Sequence, residues 1–568
     1  MKQSKLKIAI LSSSTISGLD KILKAKCQGL GLAPEIYVGG YNQYRQEILN
    51  AESLFYRFAP DLVILFIDTR ALLGDAFFNF YQLSVPARKK LLRATTKDLA
   101  ELVGIVGQRL SAKIVIHNFE TPSSSPLGIL ENKQTLGLVE LVETINADLR
   151  QRYRADPRVF VFDYNSFVSH LGWREVFNPK MYYLADIKIN LPHWPALADQ
   201  YLSYIKPLKF LTKKCLVLDL DNTLWGGIIG EDGLEKIKLG PTPEGRPFME
   251  LQQHLLSLFH RGVILAVNSK NNLADALAVF KKHPHMILKE EHFAAVRINW
   301  DDKVANLKAI AQELNLGLDS LVFMDDDKLN RELVKSQLPE VRVVDLPDDP
   351  ALYLSTLAAL NDFDSFDLSA EDKKRGEMYA AERRRRQFGA AAGSLEKYLA
   401  SLGMTVTVVR ANSLIIPRLA QLTQKTNQFN LTTRRYLTED LERLARDKNY
   451  LIFGVAVRDK FGDNGLTGVA LVKKEPLAWR VETLLLSCRI IGRRVEEVMI
   501  THIAEQAKKS GIEELVGEFI ATAKNAPAKD FYKNQGFVLA SRTRGQEVWR
   551  HAKPSQLAYP KFIKVIKK

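Results

Sequence analysis

Short, continuously apolar runs alternate with amphipathic stretches over the first two thirds of the chain. Residues 7–11 (Lys-Ile-Ala-Ile-Leu), 62–66, 114–116 and 159–162 are too short for core helices and read as buried strands. A helical period over 97–111 lies between two of them. This alternation predicts an α/β sandwich with a mostly parallel sheet over residues 1–210. The pattern recurs with strands at 215–220, 263–267, 320–324 and 341–344 and helices at 248–261, 273–282, 303–314 and 330–336, a Rossmann-like α/β domain over 211–365. A charged segment, 366–400, reads as a helical linker. Beyond it, 401–568 becomes α+β, with strands at 405–409, 450–458, 468–473 and 481–487, a helix at 495–509 and a final strand near 515–519. The expected class is therefore multidomain α/β, without internal repeats.

Composition narrows the setting. A chain of 568 residues that is 46% hydrophobic can bury several cores. The apolar run at 8–11 stops at Ser12-Ser13-Ser14, too short for a signal-peptide core, and runs such as 62–67 fall well short of the roughly 18 residues of a membrane helix. The three cysteines, Cys27, Cys215 and Cys488, are too scattered for a disulfide framework or zinc site, which points to a reducing cytoplasm. The net charge of +15 admits several anionic partners. The clearest basic run, Arg383-Arg384-Arg385-Arg386, shares a helical stretch with Glu377 and Glu382 and reads as a solvated interdomain helix. No nucleic-acid-binding motif accompanies it, so nucleic acid is not expected.

In a parallel sheet the carboxyl ends of the strands line one crevice, so Asp219/Asp221, Ser269 and Asp325/Asp326 should converge. Acids gathered there repel one another unless a cation is present. With Asp327 the pocket would hold up to five, an oxygen cage suited to Mg²⁺, with Asp219, Asp221, Asp325 and Asp326 as candidate ligands. The chemistry assigns Asp219 as nucleophile on phosphorus and Asp221, two residues on, as acid/base for the leaving oxygen. Ser269 and Lys303 would hold the phosphoryl oxygens.

These four elements resemble motifs I to IV of the haloacid-dehalogenase (HAD) superfamily. The string from Lys214-Cys215-Leu216-Val217-Leu218-Asp219-Leu220-Asp221-Asn222-Thr223-Leu224-Trp225 to Gly233 is similar to a narrower group, the FkbH-like proteins of subfamily IIIC, as are Trp300-x-x-Lys303-x-x-Asn306 and Phe323-Met324-Asp325-Asp326. Asp327-Lys328 stand where that group usually has Asn-Pro. Only 224–247 is available for a cap, so an open site is expected.

The flanking regions carry fainter signals. Ser12-Ser13-Ser14-Thr15 follows the first strand in a layout that resembles the SGNH-hydrolase fold, with Asp68 where an Asn is usual and His193 as a candidate base; ester hydrolysis and a non-catalytic docking or structural role both stay open. Arg489-Ile490-Ile491-Gly492-Arg493-Arg494 follows a strand and opens a helix, resembling the pyrophosphate loop of GNAT acyltransferases. Asn525 and Phe531-Tyr532-x-x-x-Gly536-Phe537 fit that fold's later motif. Arg489, Gly492, Arg493, Asn525 and Tyr532 are thus candidates to hold phosphopantetheine or coenzyme A. The polar run 424–435 suits a phosphopantetheine arm or a capped helix end. Cys488, before Arg489, is a candidate thioester carrier or a structural thiol, whereas Cys215 belongs in a core.

The FkbH-like resemblance spans roughly residues 5–550. It implies conversion of 1,3-bisphosphoglycerate into a glyceryl thioester on an acyl carrier protein with loss of phosphate. The charge of +15 fits an acidic carrier. The alternative is a small-molecule phosphatase whose flanking domains only position substrate, and the intact motifs argue against a scaffold without activity.

Overall fold

The computed structural model describes residues 4–390, 394–522, 524–543 and 545–568, so the basic start of the chain is described only from Ser4. It divides into two compact units: one runs to Leu211 and takes in Asp364–Asp367, the other comprises Thr212–Phe363 and Leu368–Lys568.

The first unit holds a five-stranded parallel sheet of β1 (Ser4–Ser12), β2 (Leu32–Val38), β3 (Leu62–Phe66), β4 (Lys113–His117) and β5 (Val159–Phe162), in the order β2-β1-β3-β4-β5. Every residue of β3 is buried because helices cover both faces, Val85–Arg109 and Leu138–Tyr153 on one core, Leu19–Gly29 and Trp194–Leu208 on the other. β2 was not expected. Pro34 and Glu35 interrupt its pattern, and an edge strand tolerates both.

In the second unit, β6 (Cys215–Leu218), β7 (Ile264–Ser269), β8 (Phe293–Ile298), β9 (Leu321–Met324) and β10 (Arg342–Val343) form a parallel sheet ordered β10-β9-β6-β7-β8. β6 is fully buried at the centre, with β7 and β9 beside it. The unexpected β8, Phe-Ala-Ala-Val-Arg-Ile, closes one edge. The insertion at 224–247 contributes the one-turn helix Ile229–Asp232 and a bridge between Gly226 and Lys238, too little for a cap domain.

The remaining residues build a nine-stranded mixed sheet. It contains β11 (Thr405–Arg410), β12 (Phe429–Asn430), β13 (Tyr450–Asp459), β14 (Gly462–Lys474), β15 (Trp479–Leu486), β16 (Leu515–Ile520), β17 (Val538–Thr543), β18 (Gln546–His551) and β19 (Lys564–Lys567). The strand at 515–520 is therefore not the last. β17 is exposed along its whole length and shows no alternation to read, while β19 pairs in parallel with β11.

The arginine run also departs from expectation. Of the four arginines of the run, in the helix Arg375–Ala390, only Arg384 is exposed. Arg385, 1% exposed, makes a two-pronged pair with Asp459 at 2.8 Å on each prong. Arg383 reaches Glu290 at 2.8 Å and Arg386 reaches Glu313 at 3.0 Å. Successive helical residues point about 100° apart, so four neighbours meet different surroundings. Three of them tie this helix to acids of the strand-rich and Rossmann-like parts of the unit. No helix among the described residues is long and apolar enough to cross a membrane.

Candidate active site

The backbone of β6 passes straight into the acid cluster. Asp219 N–H donates to Met324 O at 3.0 Å, continuing the β6–β9 ladder by one step, so the residues after both strands are held side by side. Carboxylate oxygens of Asp219, Asp325 and Asp326 lie within 4.8 Å of one another. Lys303, first residue of the helix Lys303–Glu313 and 1% exposed, sits among them. Its ammonium lies 2.8 Å from Asp219 Oδ1 and 3.0 Å from Asp325 Oδ2 and donates to Asn268 O at 2.8 Å. The Asn268 amide returns a bond to Lys303 O at 2.9 Å, which locks the lysine over the end of β7.

One ammonium against three carboxylates leaves the cluster short of positive charge. Burial, then repulsion from Asp219 and Asp325, pushes the Asp326 carboxyl up to about 7. Burial and Asp219 raise Asp325 as well. For Lys303 burial works against the charge, but the two carboxylates outweigh it and its pKa is raised. Acids that resist ionisation until a further cation arrives, on the ends of two adjacent strands, are a donor set that fits Mg²⁺.

Asp221 is placed differently from the ligand reading. Its side chain lies outside the three-carboxylate cluster, with Oδ1 accepting from Trp225 Nε1 at 2.8 Å and Ile229 N at 3.1 Å, and Oδ2 accepting from Asn271 Nδ2 at 2.8 Å. Convergence of the strand ends predicts both acids in one crevice, but the turn Asp221–Trp225 directs Asp221 toward the insertion. Burial holds its carboxyl above the usual range despite these bonds, which suits a proton donor better than a metal ligand. Lys303 has its ammonium turned to Asp219, Asp325 and Asn268 O, where it neutralises the cluster. Ser269 is buried at the end of β7, beside this site. Asp327 caps the helix Lys328–Gln337 by accepting from Leu329 N at 2.8 Å and does not join the cluster.

Several contributors were given no role by the sequence. Thr223 Oγ1 donates to Asp326 Oδ1 and accepts from Asp326 N, both at 3.2 Å. Arg331, buried, donates to Asp325 O at 2.9 Å and so fixes the loop after β9. Thr223 lies in the string that follows β6, but its partner is 103 residues away, as Asn271's is 50; Arg331 acts on the loop just before its own helix.

The candidate cofactor residues of the strand-rich part face protein instead. Arg489 is buried and donates to Asn464 O at 2.8 Å, and burial, with Arg418 nearby, lowers its pKa to about 10. Arg493 pairs with Asp459 at 3.1 Å and with Glu382, beside Arg385. Asn525 spends its amide on Asn430 O and Ile520 O, both at 2.9 Å, and its oxygen on Thr522 N at 2.8 Å. The Tyr532 ring is buried over Gly517, where a Cβ would come within 2.2 Å of it. Gly492, exposed at φ +84° with open space around it, is the one member of this set presented to solvent. The polar run 424–435 ends a helix: Arg435 donates to the carbonyls of Thr423, Gln424 and Thr426. Cys488 is partly buried, its Sγ 2.7 Å from Tyr379 Oη, and Cys215 is buried in a core as expected.

In the first unit Ser13 Oγ accepts from Asp68 N at 2.8 Å. Asp68 is paired with buried Lys188, which also pairs with Glu120. No hydrogen bond joins the His193 ring to Ser12, Ser13, Ser14 or Asp68 among the described residues, so a serine–histidine relay is not assembled.

Comparisons with known proteins place the chain among relatives. The pattern of the FkbH N-terminal domain matches residues 7–206. The N-terminal part of the protein BF1531 from Bacteroides fragilis, containing a phosphatase domain and crystallised with Mg, is similar at 30% identity with a TM-score of 0.60, covering 64% of this chain and 95% of that one. The ribosomal-protein-S18-alanine N-acetyltransferase from Escherichia coli is similar at 15% identity and a TM-score of 0.21, covering 26% of this chain and 92% of that one. No curated protein matches. Spanning nearly all of a phosphatase-containing relative at that identity, and carrying the FkbH domain before it, the chain belongs to the FkbH-like family of HAD-type phosphatase proteins.

Proposed function

We propose that the chain is a Mg²⁺-dependent phosphoryl-transfer enzyme that loads a glyceryl or related acyl group from 1,3-bisphosphoglycerate onto an acyl carrier protein, with loss of phosphate. The observation that carries the phosphoryl step is the separation of roles at the end of β6: Asp219 lies in the three-carboxylate cluster over Lys303, while Asp221 is held apart with a raised pKa. Asp219 attacks the ester phosphorus and Asp221 delivers a proton to the leaving oxygen. Water then cleaves the aspartyl phosphate, with Asp221 taking the proton back. Asp219, Asp325 and Asp326 would hold Mg²⁺, which would supply positive charge for the incoming phosphoryl oxygens.

The acyl step breaks the bond between the acyl carbon and the phosphate oxygen of the acyl phosphate and forms a thioester. Cys488, or the carrier's own pantetheine thiol, is the nucleophile, and phosphate leaves. The partly buried Cys488 thiol, 2.7 Å from Tyr379 Oη, supports that reading; the buried Arg489, Arg493, Asn525 and Tyr532 are not used in it.

Incubating the purified chain with Mg²⁺, 1,3-bisphosphoglycerate and candidate carrier proteins, and following carrier mass and phosphate together, tests both steps. A carrier heavier by a glyceryl group with matching phosphate release is expected. Phosphate without a mass change would leave the small-molecule phosphatase in its place.

A further inference from the structure

A chain of hydrogen bonds leads outward from the acid/base to an exposed aromatic ring. Asp221 Oδ2 accepts from Asn271 Nδ2 at 2.8 Å, Asn271 Oδ1 accepts from Asn272 N at 3.0 Å, and Asn272 Oδ1 accepts from Trp300 Nε1 at 3.2 Å. Trp300 is 71% exposed, although tryptophan is among the side chains that gain most from burial. Its place is fixed from both sides. Asn299 N, one residue before, donates to Ser269 O at 3.1 Å, and Lys303, three residues after, lies in the acid cluster. The ring is therefore anchored at the mouth of the site by its only polar atom, with its apolar surface left uncovered.

Two more exposed aliphatic side chains belong to the same rim. Ile228, 40% exposed, precedes Ile229, whose N–H holds Asp221, and Leu273, 51% exposed, follows Asn272. In an in-line displacement the nucleophile and the leaving group lie on opposite sides of phosphorus. The group that protonates the leaving oxygen marks the leaving-group side, and here that group is Asp221. The rim around it carries these apolar side chains, with the carboxylates of Asp232 and Asp275 beside them, accepting from Ile228 N at 2.8 Å and Asn272 Nδ2 at 3.2 Å; such acids disfavour an anionic leaving group.

We propose that Trp300 is a specificity-determining residue that receives the leaving group, favouring phosphorylated substrates whose leaving group presents an uncharged, carbon-rich or planar face. This rests on the phosphoryl-transfer reading above. Trp300 takes no part in proton or phosphoryl transfer; it positions the departing part of the substrate against Asp221.

The test compares two phosphate donors on the full chain with Mg²⁺: p-nitrophenyl phosphate, with a planar leaving group, and acetyl phosphate, with a minimal one. In Trp300→Ala the KM for p-nitrophenyl phosphate relative to that for acetyl phosphate should rise about tenfold, a difference of about 1.4 kcal/mol, while kcat falls less than threefold for either. Trp300→Phe should restore most of the ratio. An equal loss with both donors, or a fall in kcat alone, would show a residue that merely supports Lys303 and would overturn the proposal. Calorimetric binding of phenylphosphonate against methylphosphonate needs no turnover. A preference for phenylphosphonate that disappears in Trp300→Ala supports the assignment even if the chain releases no phosphate from either donor, an outcome that would sink the phosphoryl-transfer reading alone. A preference that survives the substitution overturns it.

Discussion

At the scale of single residues, Lys303 bears the greatest electrostatic responsibility in the molecule. It is enclosed, its ammonium touches two carboxylates, and its backbone is clasped by Asn268. Removing one partner of such a group leaves the others charged and buried, which typically costs about 3–5 kcal/mol. Lys303→Met should therefore lower the urea midpoint markedly at pH 8. Asp325, whose carboxyl is already raised, can escape the penalty by taking up a proton, so much of the loss should be regained at pH 5. Phosphate release should fall at least about a hundredfold, because the developing phosphoryl charge loses its fixed counter-charge. Equal destabilisation at both pH values would mean that lost packing, not unpaired charge, governs the site. The sequence already directed Asp219, Asp221, Ser269, Asp325 and Asp326 to one crevice, because strand ends in a parallel sheet converge by construction, whereas Lys303 reaches it from the start of a helix. It could not say that Asp221 turns away, since that depends on Trp225, Ile229 and Asn271 competing for its oxygens.

At the scale of elements, strong periodicity was legible and edges were not. The helices Leu273–Lys282 and Val495–Lys509 form over the residues that their apolar spacing marks. The strands β2 and β17 carry proline, acids or full exposure, and so resemble loops until their neighbours are known. The helix Arg375–Ala390 illustrates the same limit from the side of charge. A run of four arginines reads as solvated when its partners lie outside the window, and here they are Glu290, Glu313 and Asp459. The consequence is testable by pairing neighbours. Arg385→Met leaves Asp459, which is buried, with Arg493 as its one remaining cationic partner among the described residues, and should cost about 3 kcal/mol or more in chemical denaturation. Arg384→Met, on the exposed side, should stay within about 0.5 kcal/mol. Comparable effects of the two substitutions would show that the pair with Asp459 contributes little.

At the scale of the whole molecule, metal binding, protonation and stability are linked through one cluster in one of the two units. The carboxyls of Asp326, raised to about 7, and Asp325, also raised, lie above the unfolded value of about 3.9. The stability they contribute in protonated form is complete below about pH 4 and is lost as pH rises through about 7. Metal ligation needs them ionised. Mg²⁺ should therefore bind more weakly at pH 6 than at pH 8, release protons as it binds near pH 6.5, and release few at pH 8, which calorimetry in buffers of different ionisation enthalpy measures directly. With Mg²⁺ at a hundredfold excess over its dissociation constant the folded state gains about 2.7 kcal/mol. The gain belongs to the unit that holds the ligands. Deuterium exchange at pH 8 should accordingly slow in peptides carrying β6 and β9 and change little in those carrying β1 to β5. Protection by Mg²⁺ spread equally over both units, or proton release that does not depend on pH, would place the metal elsewhere than on Asp219, Asp325 and Asp326.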